Sequence, residues 1–256
     1  MSKYAAYFID LDGTIYKGTE SFPSGQRFIA SLKAKNTDYL FVTNNATKTP
    51  EMVAAFLTEQ HGIETTVDQI YTSAMATADY VASLENVQKV FVLGEVGLHQ
   101  ALADKGFEIV TAGDADVAVI GLNRELKYED LMQATLAIQH GAKFVATNVD
   151  TNLPNERGFI PGAGSIVAAI QTATQQEPVI IGKPYAPIML GALERTGYKK
   201  DEVIMVGDNY QTDIRAGLEI GMDTLLVYSG VSKRNQVEAL SKQPTYSVDS
   251  LDDWQL

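Results

Sequence analysis

The stretch Tyr7–Tyr16, YFIDLDGTIY, runs from an apolar segment straight into two acids one residue apart, Asp10 and Asp12, followed by Gly13 and Thr14. A short run of aromatic and β-branched residues of this kind reads as a strand buried on both faces of a parallel sheet. In open parallel sheets, ligands bind in the crevice beyond the carboxyl ends of the strands, and Asp10 stands at such an end. Gly13 lets the chain turn sharply, so that backbone N–H groups near Leu11 and Asp12 can converge on an anion. One aspartate after a strand is commonly a cap or a turn residue. Two of them, backed by glycine, call for a chemical reason.

Working outward, comparable runs recur at 4–9, 38–43, 89–93, 116–120, 142–147, 178–182, 202–206 and 223–227. Between them lie stretches with apolar residues at helical spacing, at 24–35, 49–60, 95–104, 126–139, 163–174, 186–196 and 211–220. Alternation over the whole length predicts an α/β fold with parallel sheet flanked by helices. At 256 residues the chain suits one large domain or two smaller ones, and no Pro/Gly/Ser-rich linker marks a boundary. Polar residues follow strand ends near both chain termini, which predicts a core made from both chain ends, 1–77 and 179–256. The segment 78–178 has strands and helices enough to form an inserted α/β unit of its own.

Composition narrows the function classes. Twenty Lys and Arg against 32 Asp and Glu give a net charge of −12, which speaks against nonspecific binding to nucleic acid or anionic membrane. There is no cysteine, so disulfides, thiolate metal sites and cysteine nucleophiles are excluded, in keeping with a reducing cytoplasm. The N-terminus reaches its paired acids too soon to hold a signal-peptide core, and no apolar run approaches the ~18 residues of a membrane span.

A second stretch, VGDNYQTDIRAG, repeats the geometry: strand 202–206, then Gly207, Asp208 and Asn209, with Asp213 at a helix start. Asp213 alone could be a residue favoured by the helix dipole. Gathering Asp10, Asp208 and Asp213 at adjoining strand ends would concentrate like charge, unfavourable unless a cation sits among them. Oxygen ligands with no His or Cys nearby favour Mg²⁺ over zinc. LFVTNNAT closes another strand with Thr43, Asn44 and Asn45, and IIGKP brings Lys183 after an apolar run, with Pro184 biasing it towards an extended backbone. Hydroxyl, amides, one lysine and a hard cation beside carboxylates suit a phosphoryl group.

The four stretches, in this order, resemble the motifs of the haloacid dehalogenase-like (HAD) phosphohydrolase superfamily. The long segment between the second and third, with ATNVDTNLP and GFIPGAGSIVAAI, is similar to the NagD-like subgroup, which carries a large α/β cap there. The resemblance implies a Rossmann-like core with Asp10 as nucleophile and Asp12 as general acid/base. It further implies Thr43, Asn44, Lys183 and the backbone at Leu11 as phosphate ligands, and Mg²⁺ held by Asp10, the Asp12 carbonyl and Asp208, with Asp213 acting through a water. It implies a cytoplasmic phosphatase of small organic monophosphates, nucleoside monophosphates or sugar phosphates, and the subgroup adds a homodimer built through the caps.

Other readings remain open at this level. A phosphomutase shares the aspartyl intermediate, a phospho-accepting regulatory module would need neither Asp12 nor a cap, and carbon–halogen cleavage would need no metal. In the inserted unit, Asn148, Asp150 and Asn152 read equally well as substrate contacts or as a polar turn ending in Pro154. The glycines of PGAGS, 161–165, suit a tight turn with backbone packing better than a phosphate loop, because the Walker lysine is missing.

Overall fold

The computed structural model describes residues 3–155 and 157–256. They gather into two compact units: one from the chain up to Thr43, Glu51–Tyr71 and Lys183–Leu256, the other from Asn44–Pro50 and Thr72–Gly182.

The first unit is built on a six-stranded sheet in the order Tyr246–Val248, Asp223–Val227, Val203–Gly207, Ala6–Ile9, Asp38–Thr43, Ile70–Thr72. The four pairings from Tyr246–Val248 across to Asp38–Thr43 are parallel. Ala6–Ile9 is central and wholly buried, as its unbroken apolar run requires. Tyr7, Ile9, Phe41, Ile204 and Val206 join Phe28, Ile29 and Leu32 of the helix Pro23–Ala34, and Val53 and Leu57 of the helix Pro50–His61, in one core. Pro23 opens its helix where no backbone donor is needed.

The second unit has a five-stranded parallel sheet in the order Val179–Ile180, Lys143–Ala146, Val117–Ile120, Lys89–Leu93, Glu108–Val110. The helices Tyr128–Gln139 and Ala163–Thr174 cover it through Ala134, Ile138, Ile166 and Ile170. The long piece of the second unit is Thr72–Gly182, beside the short piece Asn44–Pro50, and the sequence reading has 78–178. Residue 78 lies inside the continuous helix Ser73–Ala82, which is capped by Thr72 Oγ1 accepting from the Met75 N–H at 3.2 Å. The run 178–182 joins the second sheet through Val179–Ile180, so only at Lys183 does the chain re-enter the first unit. Among the described residues, no helix is long and apolar enough to cross a membrane.

Candidate active site

The parallel register of the first sheet brings three predicted residues to one edge. Ile9 pairs with Phe41 on one side and Val206 on the other, so Asp10, Thr43 and Asp208 all emerge at the carboxyl end of the sheet. The Asp10 N–H donates to Val206 O at 2.9 Å and holds the first acid to the strand that carries the third motif. Asp213 comes next, in a π-type turn, Tyr210–Ile214, that precedes the helix Arg215–Ile220; the sequence suggests a single helix over 211–220. The wider turn directs Asp213 inward, and its Oδ2 accepts from the Asn209 N–H at 3.0 Å.

Lys183 completes the group. It is 1% exposed, and its Nζ lies 2.6 Å from Asp10 Oδ1 and 2.8 Å from Asp213 Oδ1 while donating to Val42 O at 2.8 Å. Burial alone would strip the proton from this ammonium, but Asp10 and Asp213 outweigh it and hold the lysine charged. Burial and the neighbouring Asp213 push Asp10 well above the ordinary carboxylate range, and Lys183 opposes them. The same two causes lift Asp208 to about 7, against the Val231 N–H and the Thr14 hydroxyl, which donate to it at 2.7 and 3.2 Å.

Three buried carboxyl groups against one buried ammonium would, when ionised, leave an excess of negative charge. Ligand atoms of Asp10, Asp208 and Asp213 all lie within 4.8 Å of one another, so a single cation could touch all three. The donor set is oxygen only, which suits a hard dication. Close glycines make room for it: a Cβ at Gly13 or Gly230 would strike the Asp208 carboxylate, and one at Gly207 would strike Asp213.

Asp12 stands apart from this cluster. It is an exposed residue whose carboxyl is still partly desolvated, which raises its pKa against the backbone of Gly18 and the charge of Lys17. Two neighbouring acids therefore occupy different surroundings, one paired with Lys183 and buried, the other at the rim. Leu11 buries its side chain in the core, and its carbonyl accepts from the Ile15 N–H at 2.8 Å.

The remaining candidates lie in the second unit. Asn44 Nδ2 donates to the two carboxylate oxygens of Asp150 at 3.1 and 3.3 Å. Asn148 is buried, donates to Asn44 O at 2.8 Å and accepts from the Asp150 N–H at 3.1 Å. Asn44, Asn148 and Asp150 thus form one hydrogen-bonded cluster, while Asn152 is exposed in the hairpin Asn152–Asn155/Gly158–Pro161. A Cβ at Gly162 or Gly164 would strike the carbonyls of Asp150 or Val149, so these glycines serve close packing of backbone on backbone. Sequence reading missed Thr14, Gly230 and the Val231 N–H. A glycine shortly after the strand Asp223–Val227 was the one signal for the last two.

Comparisons with known proteins place the chain among relatives. A family model described as haloacid dehalogenase-like hydrolase matches residues 7–108, and a second, described as HAD-hydrolase-like, matches 180–254. The chain is 43% identical to a Bacillus subtilis protein named 5'-nucleotidase YutF over 256 residues, covering 99% of this chain and 98% of that one. It is 45% identical over 253 residues to a Staphylococcus aureus protein named acid sugar phosphatase, covering 99% and 97%. The crystal structure of a double mutant of thermostable NPPase from Geobacillus stearothermophilus superposes with a TM-score of 0.92 at 48% identity, covering 100% of this chain and 99% of that one.

Proposed function

This chain belongs to the haloacid dehalogenase-like hydrolase family, and on that premise we propose that it is a Mg²⁺-dependent phosphatase working through an aspartyl-phosphate on Asp10. The observation that carries the reading is the buried group in which Lys183 joins Asp10 to Asp213 beside Asp208, at the carboxyl edge of a parallel sheet. Relatives named 5'-nucleotidase and acid sugar phosphatase support small organic monophosphates, nucleotides or sugar phosphates, as substrates.

Asp10, Asp208 and Asp213 would hold the cation, directly or through water, with the Asp12 carbonyl. Bound Mg²⁺ would supply the positive charge that offsets repulsion between the attacking carboxylate and a phosphate dianion. The residues perform the rest. Lys183 fixes the rotation of the Asp10 carboxylate by holding Oδ1, and this carboxylate attacks phosphorus in line. The bond to the ester oxygen breaks, and that oxygen takes a proton from Asp12, whose pKa burial raises. Lys183, the Thr43 hydroxyl and the backbone N–H groups of Leu11 and Asp12 balance charge on the equatorial oxygens. Asp12, now a carboxylate, then draws a proton from the water that attacks the acyl phosphate, and inorganic phosphate and free Asp10 result.

The second unit is proposed to act as a cap that selects the leaving group. Its support lies in the connectivity: the short piece of that unit, Asn44–Pro50, follows Thr43 directly, and its long piece ends at Gly182, directly before Lys183, so both adjoin a proposed phosphate ligand in the sequence. A cysteine-free sequence fits work in the cytoplasm. The test is phosphate release from nucleotides, sugar phosphates and p-nitrophenyl phosphate, with Mg²⁺ and then with chelator. Metal-dependent release that disappears in Asp10→Asn is expected, and release by the Asp10→Asn variant at the wild-type rate would refute the reading.

A further inference from the structure

Beyond the residues proposed to meet phosphate, the first unit buries an imidazole that the mechanism leaves unused. His61 is 0% exposed and ends the helix Pro50–His61. Its imidazole lies flat on the ring of Tyr16, with centroids 4.3 Å apart and planes 6° from parallel, and the ring of Phe56 meets its edge at 4.9 Å. Nδ1 of His61 and Oγ of Ser21 share a hydrogen bond at 2.8 Å, and the His61 carbonyl accepts from Gln26 Nε2 at 2.6 Å.

These partners are not scattered. Tyr16 and Ser21 face each other across the two-stranded hairpin Tyr16–Lys17/Glu20–Ser21, so His61 grips both strands at one register position. Tyr16 in turn encloses Asp12 with its main chain: its N–H donates to Leu11 O at 3.3 Å, and its carbonyl accepts from the Gly13 N–H at 2.6 Å. The path from the imidazole to the backbone on either side of Asp12 runs through one residue. Asp12 is exposed, and its carboxyl is held by the backbone of Gly18, in the turn of the same hairpin, so the hairpin's position sets that of the acid. A buried stacked ring is a rigid anchor, because its rotamer is locked by neighbours on several sides.

We propose that His61 is a positioning residue for Asp12, clamping the hairpin through Tyr16 and Ser21 so that the carboxyl points at the leaving oxygen. The proposal rests on the reading of Asp12 as general acid and adds the element that aims it. Misplacement of a catalytic group by about an ångström can cost up to about 10²-fold in rate, so loosening the clamp has a measurable effect.

The leaving group separates aiming from mere folding. A p-nitrophenolate leaves without much help from an acid, whereas a sugar or ribose alkoxide must be protonated. kcat/KM is the right quantity, because it reports the steps up to departure of the leaving group and not the later hydrolysis. The measurement compares a nucleoside monophosphate with p-nitrophenyl phosphate in wild type, His61→Ala, His61→Phe, Ser21→Ala and Asp12→Asn. His61→Phe keeps a ring on Tyr16 and loses the Ser21 bond, and Ser21→Ala removes that bond from the less buried end, so two variants remain if the alanine at 61 does not fold.

His61→Ala is expected to lower kcat/KM about tenfold on the nucleoside monophosphate and less than about twofold on the aryl ester. The two milder variants should show the same split with smaller losses, and Asp12→Asn should show it most strongly. Equal losses on both substrates in every His61 and Ser21 variant, with the split present in Asp12→Asn, would overturn the proposal and leave the acid role of Asp12 standing. Equal losses in Asp12→Asn itself would instead remove that acid role, and the proposal with it.

Discussion

The two units share a plan, a parallel sheet with helices packed against it, and differ in what they bury. In the first, the buried polar residues include Asp10, Lys183, Asp208 and Asp213, four charged groups at one end of the sheet. In the second, the buried polar side chains among the described residues are Thr47, Thr72, Ser73, Thr77, Thr147 and Asn148, all neutral. Neutral groups of this kind are satisfied locally: Thr77 donates to Ser73 O at 2.6 Å, and Asn148 donates to Asn44 O. Where the second unit does pair charges, it does so near the surface, as in Arg124 with Glu95. Architecture alone therefore does not locate the chemistry. Burying several charges is costly unless they are paired, and only a site that uses them retains them.

Breaking the first unit's cluster should have the largest effects. Asp10→Asn is expected to lower turnover by about 10⁴-fold or more, because it removes the proposed nucleophile; steady-state phosphate release measures it. Lys183→Met removes the cation that joins Asp10 to Asp213. Turnover should fall about 10²–10³-fold, with a loss of roughly 3 kcal/mol in stability read by denaturant unfolding. A stability loss without loss of turnover would separate the two roles assigned to this lysine.

Smaller effects should come from changes around the cluster. Gly230→Ala drives a methyl group into the Asp208 carboxylate, so Mg²⁺ affinity should weaken about 10- to 100-fold, measured from the metal dependence of turnover. Mg²⁺ should also raise the thermal midpoint of the wild type through binding to the folded state, and the rise should shrink in Asp208→Asn. The second unit should respond least. Asp150→Ala opens the hydrogen-bonded cluster with Asn44, and KM for nucleotides should rise about two- to fivefold while kcat for p-nitrophenyl phosphate stays within about twofold. A large fall in kcat on the aryl ester would mean that the contrast between the units is drawn too sharply.

Much of this is legible in the residues. Asp10 and Asp208 each come at the close of an uninterrupted apolar run, and such runs deliver the next polar side chain to a sheet edge. Lys183 behind VIIG is legible as a lysine in an unusual place. Its ion pair with Asp213 is not, since the partners are distant in sequence and meet only because a π-type turn redirects Asp213. The strands Ile70–Thr72, Glu108–Val110 and Tyr246–Val248 are too short for an alternation signal, and Ser73–Ala82, SAMATADYVA, has small residues all round and so lacks a clear apolar stripe. The changeovers between units escape for the same reason: one lies at the cap of that helix, the other behind a two-residue strand. Asn44 reads as a hydrogen-bond donor at a strand end, and the partner its amide finds, Asp150, lies across an entire sheet's worth of sequence.

The central claim is that Asp10 carries the phosphoryl group between substrate and water. Rapid acid quenching during turnover of a nucleoside monophosphate, with mass spectrometry of the peptide containing Asp10, tests it directly. The account predicts one phosphoryl group on that peptide in the wild type, lost when substrate is exhausted, and none in Asp10→Asn. Full turnover with that peptide unmodified at every time point, and with Asp10→Asn still active, would contradict it.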